Sequence, residues 1–422
     1  PLPITSIFIL DTNMKILVIG SGGREHALYW KLKQSPKVTS IVCAPGNGGT
    51  DNNVDIAADD IQGLLNYALK HEIDLTVVGP EDPLCLGIVD TFQEHGLVIF
   101  GPNKHAAQLE GSKDFSKSFM VRHNIPTAEY HTYTDHRDAL NAIASMKFPL
   151  VIKADGLCKG KGVIICETHK EAKDTLHEIY INKQFGEEGN KVVLETFLDG
   201  YETSLLCFVS NNRIFPMETA RDYKKIGEGD KGENTGGVGC YSPAPAFNDK
   251  VKANIDKILA NIEVGLYHDD FDFNGILYIG LMIVGDTPYV LEFNTRFGDP
   301  ETEVLLPRLQ SDLVDIMIHV ENDTLQQSHL QWDPRTCLTT IVVSKGYPGT
   351  YEKNIPMILN DDKLVFHNGT KRTETELLSV GGRVLSFVEM GDDLITMNAK
   401  LNERIEKLEF KNKVYRRDIG LI

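Results

Sequence analysis

The sequence predicts a mixed protein of 422 residues, α/β at its N-terminal end and α+β thereafter, in three domains. Three observations predict it. Aliphatic runs alternate with helical stretches over residues 14–115, the signature of βαβ units and a mostly parallel sheet. From 116 to 330, hairpin-like strand pairs mix with helices. After a linker-like stretch at 331–334, strands and one helix recur in a smaller unit that runs to residue 422.

Taken in order, residues 15–20 read as a strand, followed by a Gly-rich turn and a helical stretch over 24–33. Further strands are expected at 40–43, 75–78 and 97–100, and Ile61, Leu64, Leu65, Ala68 and Leu69 recur between them at helical spacing. In the middle region, 276–283 and 288–293 flank Gly285-Asp286-Thr287 as a hairpin, and 151–154 and 162–166 flank a Gly/Lys loop in the same way. Val251, Ile255, Ile258, Leu259 and Ile262 mark a helix. The last unit has strands at 338–344, 364–366 and 383–389, then a helix through Leu394, Met397, Leu401, Ile405 and Leu408. Residues 1–13 lack the basic start of a signal peptide. They read as a leader or an added segment before a natural start at Met14.

Composition narrows the class. Apolar residues at 41% and charged residues at 24% are ordinary for a soluble domain. A net charge of −17 argues against non-specific binding to nucleic acid or anionic membrane. No apolar run approaches the ~20 residues that span a bilayer. Seven scattered cysteines without a CxxC pair fit a reducing compartment, so a cytoplasmic location is expected.

The densest chemistry lies in YVLEFNTRFGDPETE, residues 289–303. Strand alternation puts Glu292 and Asn294 on one face. Two oxygen donors at that spacing suit Mg²⁺, which fills the rest of its shell with phosphate oxygens and water. Read alone, LEFN is an ordinary solvated strand face. Arg296, Asp299, Glu301 and Glu303, around Gly298 and Pro300, add an anion site beside it.

Lys113 and Lys153 form the second constellation. Lys153 ends an apolar strand, and an inward lysine is costly unless it meets an anion, for which phosphate is the expectation. The loop DGLCKGKG that follows, with Gly160, Lys161 and Gly162, can fold backbone N–H groups over phosphates. It is no Walker A loop, and alone it would pass for a flexible hairpin tip. Downstream, Glu195, Thr196, Phe197 and Leu198 run from a strand into a turn whose backbone could read an adenine edge, with Glu202 placed for ribose hydroxyls.

Gly20-Ser21-Gly22-Gly23-Arg24-Glu25 resembles a dinucleotide fingerprint but has Glu25 at the third glycine position. A Gly-rich turn at a helix N-terminus still admits a phosphate or sugar phosphate. Arg221-Asp222-Tyr223-Lys224-Lys225 leads into GEGDKGENTGGVGCY, read as a long polar loop with six glycines. Lys345 and Arg383 sit in two basic turns of the last unit. His26, His268 and His319 have no ligand spacing and read as structural or surface groups.

The ordered blocks KILVIGSGGREHAL, APGNGGT, VGPEDPL, LEGSKDF, VIKADGLCKGKGV, ENTGGVGCYSPAP, LEFNTRFGDPETEVLLPRL, SKGYPG and GGRV, ending in YRRDIG, resemble the phosphoribosylamine–glycine ligase family of the ATP-grasp superfamily. The resemblance runs from Met14 to Gly420. It implies an ATP-grasp fold with a Rossmann-like N-terminal substrate domain (14–115), an ATP-grasp domain (116–330) with a mobile lid (about 127–195), and a C-terminal domain (331–422). It implies ligation of glycine to 5-phosphoribosylamine with ATP and Mg²⁺ or Mn²⁺, by a monomer, in purine synthesis.

Residue by residue, the resemblance implies that Lys113 and Lys153 hold ATP phosphates and that Gly160, Lys161 and Gly162 cover the γ-phosphate. Glu195 to Leu198 would read adenine, Glu202 the ribose, and Glu292 and Asn294 would bind metal. Lys153, Arg296 and Asp299 would be catalytic, Arg296 and Asp299 holding the reacting carboxylate and amine. Gly22, Gly23, Glu81, Asp222, Lys345 and Arg383 would serve substrate, mainly on the phosphoribosyl side. The strand at 278–282 lacks an acid that many ATP-grasp enzymes carry there. Other readings are another ATP-grasp ligase of purine synthesis, an NAD-dependent oxidoreductase and an inactive ATP-binding module. Glu25 argues against the oxidoreductase, and Lys153, Glu292, Asn294 and Arg296 argue against the inactive module.

Overall fold

The computed structural model describes residues 13–422. The reading of the N-terminal stretch as a leader falls, but for Asn13, outside the described residues. Strands β1 (Met14–Gly20), β2 (Val38–Pro45), β3 (Leu75–Val78) and β4 (Ile99–Phe100) form a parallel sheet in the order β2-β1-β3-β4. The aliphatic run of β1 is continuous because both faces are covered. Ile16 and Val18 join one core with Leu28 of the following helix, while Leu17 and Ile19 join another with Leu64 and Phe92. The strand ends that open toward the rest of the molecule carry the Gly22-Gly23 turn and Glu81, where ligands of open α/β sheets bind.

Strands β5 (Tyr130–Tyr133), β6 (Leu150–Ala154), β7 (Val163–Cys166) and β8 (Val192–Thr196) make a separate antiparallel sheet in the order β5-β8-β6-β7. It has its own core, in which Ile152 and Leu194 meet Leu176 and Ile179 of a covering helix. Residues 197–200 then carry the chain out of this sheet into the next.

That next sheet is the largest. Strands β9 (Tyr201–Ser210), β10 (Arg213–Gly227), β11 (Lys231–Ser242), β12 (Gly275–Val284), β13 (Thr287–Asn294) and β14 (Thr336–Ser344) lie in the order β13-β12-β9-β10-β11-β14. Strands Arg383–Gly391 and Val365–His367 extend it. The C-terminal strands therefore continue the central sheet, with Gly239 opposite Thr340 across the seam. A shared core reinforces the join: Val18, Phe208, Phe297 and Phe366 belong to one cluster.

Two local features shape the site. Gly285, at φ +62°, and Asp286 form the tight turn between β12 and β13. A register shift between Gly280 and Leu281 lets Leu291 bulge, so Glu292 pairs with Gly280 and Asn294 with Tyr278. The polar stretch expected as a loop over 227–241 is instead most of a β-hairpin, built from β10 and β11. Its glycines misled, since Gly229, Gly232 and Gly237 take positive φ and absorb the turn and the bend. The pairing of β10 with β9, and of β11 with β14, overrides the poor strand propensity of this segment. Among the described residues, no helix is long and apolar enough to cross a membrane.

Candidate active site

The ends of the parallel strands, the 130–196 sheet and the central sheet enclose a cavity of about 800 Å³. Lys113, Lys153, Gly160, Gly162, Glu195, Thr196, Phe197, Leu198 and Glu202 line it, as do Glu81, Asp222, Glu292, Asn294, Arg296, Asp299 and Arg383. Gly22 and Gly23 stand just behind the wall. A Cβ on Gly22 would lie 3.2 Å from Asp299 Oδ2, and the Gly23 N–H donates to Asn368 Oδ1 at 3.0 Å. Lys161 is exposed at the loop tip, and Lys345 is exposed and not among the lining residues.

One wall is cationic. Lys153 Nζ lies 2.9 Å from Glu195 Oε1, and Lys117 Nζ lies 3.1 Å from the same oxygen. The anion that sequence reasoning requires for Lys153 is thus, in part, the protein's own. Antiparallel β6 and β8 put Lys153 opposite Val193 and Val151 opposite Glu195, so the two charges meet diagonally on one face. Two buried lysines share one carboxylate, which leaves net positive charge facing the cavity. Burial pushes the Lys117 amine down to about 8, with Lys153 adding to the effect and Glu195 opposing it. Lys113 Nζ donates to the carbonyl of Gly156 at 2.6 Å, fastening the Gly/Lys loop to helix Lys113–Arg122. Sequence reasoning missed Lys117, although its i,i+4 spacing from Lys113 puts both on one helix face.

Glu292 and Asn294 face this wall from β13. Among the described residues, no hydrogen bond or ion pair engages either side chain. Burial works to raise the Glu292 pKa, but Lys224, then Lys153, Lys113 and Arg296, hold it below the ordinary carboxylate range. An ionised carboxylate and an amide oxygen, free and side by side at the cavity surface, fit a hard divalent cation that takes few protein ligands. Among the described residues, one other group of metal-ligand types comes together, outside the cavity lining. His123, His268 and Asp269 offer ligand atoms within 4.8 Å of one another. His268, read from sequence as lacking ligand spacing, joins this group through the fold. Both Asp269 oxygens are already engaged, by Arg122 and His123 at 2.8 and 2.9 Å and by His268 at 2.9 Å.

The opposite wall is a web of arginines and carboxylates. Arg296 pairs with Glu110 at 2.8 Å and with Glu81 at 3.4 Å, and Arg24 approaches Glu81 at 4.0 Å. Glu110 also accepts the backbone N–H of Thr295 at 3.0 Å, so one buried carboxylate fixes both the backbone and the guanidinium that follow β13. Asp299 meets Arg383 at 3.3 Å and accepts the Arg24 N–H at 3.3 Å. Burial opposes its ionisation, yet Arg383 and Arg24 hold its pKa below the usual value. Glu110 and Arg24 were not singled out in the sequence, because a role for either exists only once distant segments meet.

Two further acids of helix Glu301–Arg308 stand here. Both oxygens of fully buried Glu303 lack a hydrogen-bond donor. Burial, and then the adjacent charge of Asp299, push its carboxyl well above the ordinary range. Glu301 is buried, lines the cavity, and accepts from the Tyr278 hydroxyl at 3.1 Å. That hydroxyl also lies 2.8 Å from Ser204 Oγ. Burial, and then repulsion from Asp222, raise Glu301 to about 7.

Comparison with known proteins bears on this geometry. The family model described as the phosphoribosylglycinamide synthetase N domain matches residues 14–110, the ATP-grasp (A) domain model 111–302, and the C domain model 337–422. The chain is 45% identical over 415 residues to the phosphoribosylamine–glycine ligase of Halalkalibacterium halodurans, covering 96% of each chain. The crystal structure of the enzyme of that name from Thermotoga maritima superposes with a TM-score of 0.85 at 30% identity, covering 96% of this chain and 100% of that one. A biotin carboxylase domain of Hydrogenobacter thermophilus 2-oxoglutarate carboxylase, in complex with MgADP and bicarbonate, has a TM-score of 0.72 at 13% identity. It covers 95% of this chain and 91% of its own, and that likeness concerns the fold alone.

Proposed function

The chain belongs to the phosphoribosylglycinamide synthetase family, and on that premise we propose that it joins glycine to 5-phosphoribosylamine, converting ATP to ADP and phosphate and giving glycinamide ribonucleotide in de novo purine biosynthesis. The observation that carries this reading is a single cavity with Lys113 and Lys153 on one wall, Glu292 and Asn294 beside them, and Arg296 and Asp299 across from them.

ATP lies along the cationic wall. Lys113 and Lys153 take its phosphates, Gly160, Lys161 and Gly162 close over the γ-phosphate, and the backbone of Glu195 to Leu198 reads adenine. Glu202, already paired with Lys224 at 3.2 Å, receives the ribose. Glu292 and Asn294 would hold Mg²⁺ or Mn²⁺, which neutralises phosphate charge when bound. Arg296 takes the glycine carboxylate. Gly22, Gly23, Glu81, Asp222 and Arg383 shape the phosphoribosyl side, and Lys345 belongs to this set by sequence alone. The functional division is that of residues 14–115, 116–330 and 331–422, with 127–195 as lid.

The reaction has two steps. A glycine carboxylate oxygen attacks the γ-phosphorus, releasing ADP and giving glycyl phosphate. The amine of phosphoribosylamine then attacks the acyl carbon, and inorganic phosphate leaves. Two anions must approach each other in the first step, and Lys153 and Arg296 offset their repulsion from fixed positions. Closure of the lid keeps water from the acyl phosphate. Asp299 orients the amine. The seven cysteines are free, in keeping with a reducing cytoplasm, and the protein works as a monomer in this reading.

Release of ADP that requires glycine and phosphoribosylamine together is the expected result of the direct assay. ADP release driven by bicarbonate or formate in place of glycine would overturn the reading.

A further inference from the structure

When the amine of phosphoribosylamine attacks glycyl phosphate, the N–C bond forms, the C–O bond to phosphate breaks, and phosphate leaves with that electron pair. The nitrogen must then lose one proton to yield a neutral amide, so the second step needs an acceptor. Most carboxylates around the cavity are already committed. Glu195 is shared by Lys117 and Lys153, Glu81 and Glu110 are held by arginines, and Glu202 is paired with Lys224. Glu292 is set beside the metal position. Asp222 is the strongest charge acting on Lys224; burial raises the Asp222 carboxyl and the Lys224 charge opposes that rise, a cation that Glu301 meets only as a weaker pull. Asp299 is bound to Arg383 and to the Arg24 N–H, and a carboxylate held ionised by a guanidinium is a weak base.

Resting on the ligase reading above, we propose that Glu301 is the catalytic residue that accepts the proton of the attacking amine, while Asp299 only orients that amine. Glu301 lies five residues after Arg296 and two after Asp299, at the first turn of helix Glu301–Arg308, and opens onto the same cavity. Among the described residues it forms no ion pair; its side-chain donor is the neutral Tyr278 hydroxyl at 3.1 Å, steadied by Ser204 at 2.8 Å. The backbone leaves room for it, since a Cβ at Gly298 would lie 2.3 Å from Glu301 Oε2. The groups around it are Asp222 and Lys224 on β10, Cys240 on β11, Tyr278 on β12 and Arg296 after β13. Burial first, then Asp222, set the carboxyl near 7, against the pull of Lys224 and Arg296. A base poised there is in part deprotonated near neutral pH and still basic enough to take a proton. Tyr278, whose own pKa is raised far above the usual value by burial and by Glu301, remains a donor throughout.

Hydroxylamine separates the two steps. It is a small amine whose attack on an acyl phosphate needs little help from a base. Wild-type protein with ATP, glycine and hydroxylamine should form glycine hydroxamate, and Glu301→Gln should form it within about threefold of that rate. Glycinamide ribonucleotide formation by Glu301→Gln should fall about 10²–10⁴-fold, the usual size of a general-base contribution. The wild-type rate of the second step should decline as pH drops below about 7, and the residual rate of Glu301→Gln should lose that limb. Thermal melting of Glu301→Gln, together with Glu301→Asp, which keeps a shorter base and should restore part of the rate and the pH limb, guards against a folding defect. Equal loss of hydroxamate and ribonucleotide in both variants, or no loss in either, would overturn the proposal. Failure of the wild-type protein to make hydroxamate would instead overturn the acyl phosphate on which it rests.

Discussion

The two walls of the cavity hold charge in different ways. On the wall proposed for the nucleotide, Lys117 and Lys153 share one carboxylate, Glu195, and Lys113 gives one donor to the Gly156 carbonyl. On the wall proposed for the other substrates, Arg24, Arg296 and Arg383 are interlocked with Glu25, Glu81, Glu110 and Asp299, and the carbonyls of Phe297 and Asp299 accept from Arg24 and Arg383. Lysine is a point charge on a flexible stem, whereas arginine is a planar fork that holds an orientation. The first wall, part of it on a separate sheet, suits a polyanion that must be admitted and released. The second suits small groups that must be held at fixed angles. An excess of positive charge suits phosphates, and an interlocked network suits a place where geometry decides.

The sharpest way to break this comparison is at Lys153. Lys153→Ala removes the cation near the end of β6 and leaves Glu195 with Lys117 alone. Loss of one positioned donor to developing charge costs about 10²–10³ in kcat, and kcat/KM for ATP should fall at least as far, with KM for glycine little changed. Steady-state kinetics in both substrates measures this. An equal rise in both KM values would mean that the two walls are not functionally distinct.

The opposite wall is tested at Glu110. Glu110→Gln keeps the shape but removes the charge that pairs with Arg296 at 2.8 Å and weakens the hold on the Thr295 N–H. Burial raises the Glu110 pKa while Arg296 lowers it, so the pair exists at the expense of desolvation. KM for glycine should rise about tenfold, kcat should fall less, and KM for ATP should move under threefold. If Glu110 served only to stabilise the fold, all parameters would fall together with the melting temperature. The conservative Glu110→Asp would then rescue none of them selectively.

The same contrast explains what could be read from the sequence. The N-terminal sheet was legible because its strands are aliphatic runs set between helical periods, and the β12–β13 hairpin because Gly285-Asp286 punctuates it. The cavity-lining positions Lys153, Glu292 and Asn294 stood out because polar side chains on apolar strands break a pattern. The pairing that builds the arginine–carboxylate wall was not, since Arg24 and Glu110 lie 272 and 186 residues before Arg296 and, unlike it, stand in no dense cluster of charge. The β10–β11 hairpin was hidden by glycines that serve its turn and bends. The continuation of the central sheet into the last segment depends on pairings such as Gly239 with Thr340, which no local pattern encodes.

The smallest effect is expected at Lys345, and it sharpens the comparison from outside. Sequence resemblance groups Lys345 with Arg383 as phosphate contacts. In the fold, Arg383 donates to Asp299 and to the carbonyls of Gly236 and Gly237 at the cavity wall. Lys345 follows β14 on an exposed turn, where its backbone N–H donates to Asn412. A solvated lysine outside the wall contributes through screened attraction, which within about 8–10 Å of ionic atmosphere is weak at physiological salt. Lys345→Ala should therefore raise KM for phosphoribosylamine by less than about twofold, and less still at high salt. A tenfold rise that survives added salt would mean that this turn folds over the bound phosphate, and that the substrate wall is completed by a flexible point charge after all.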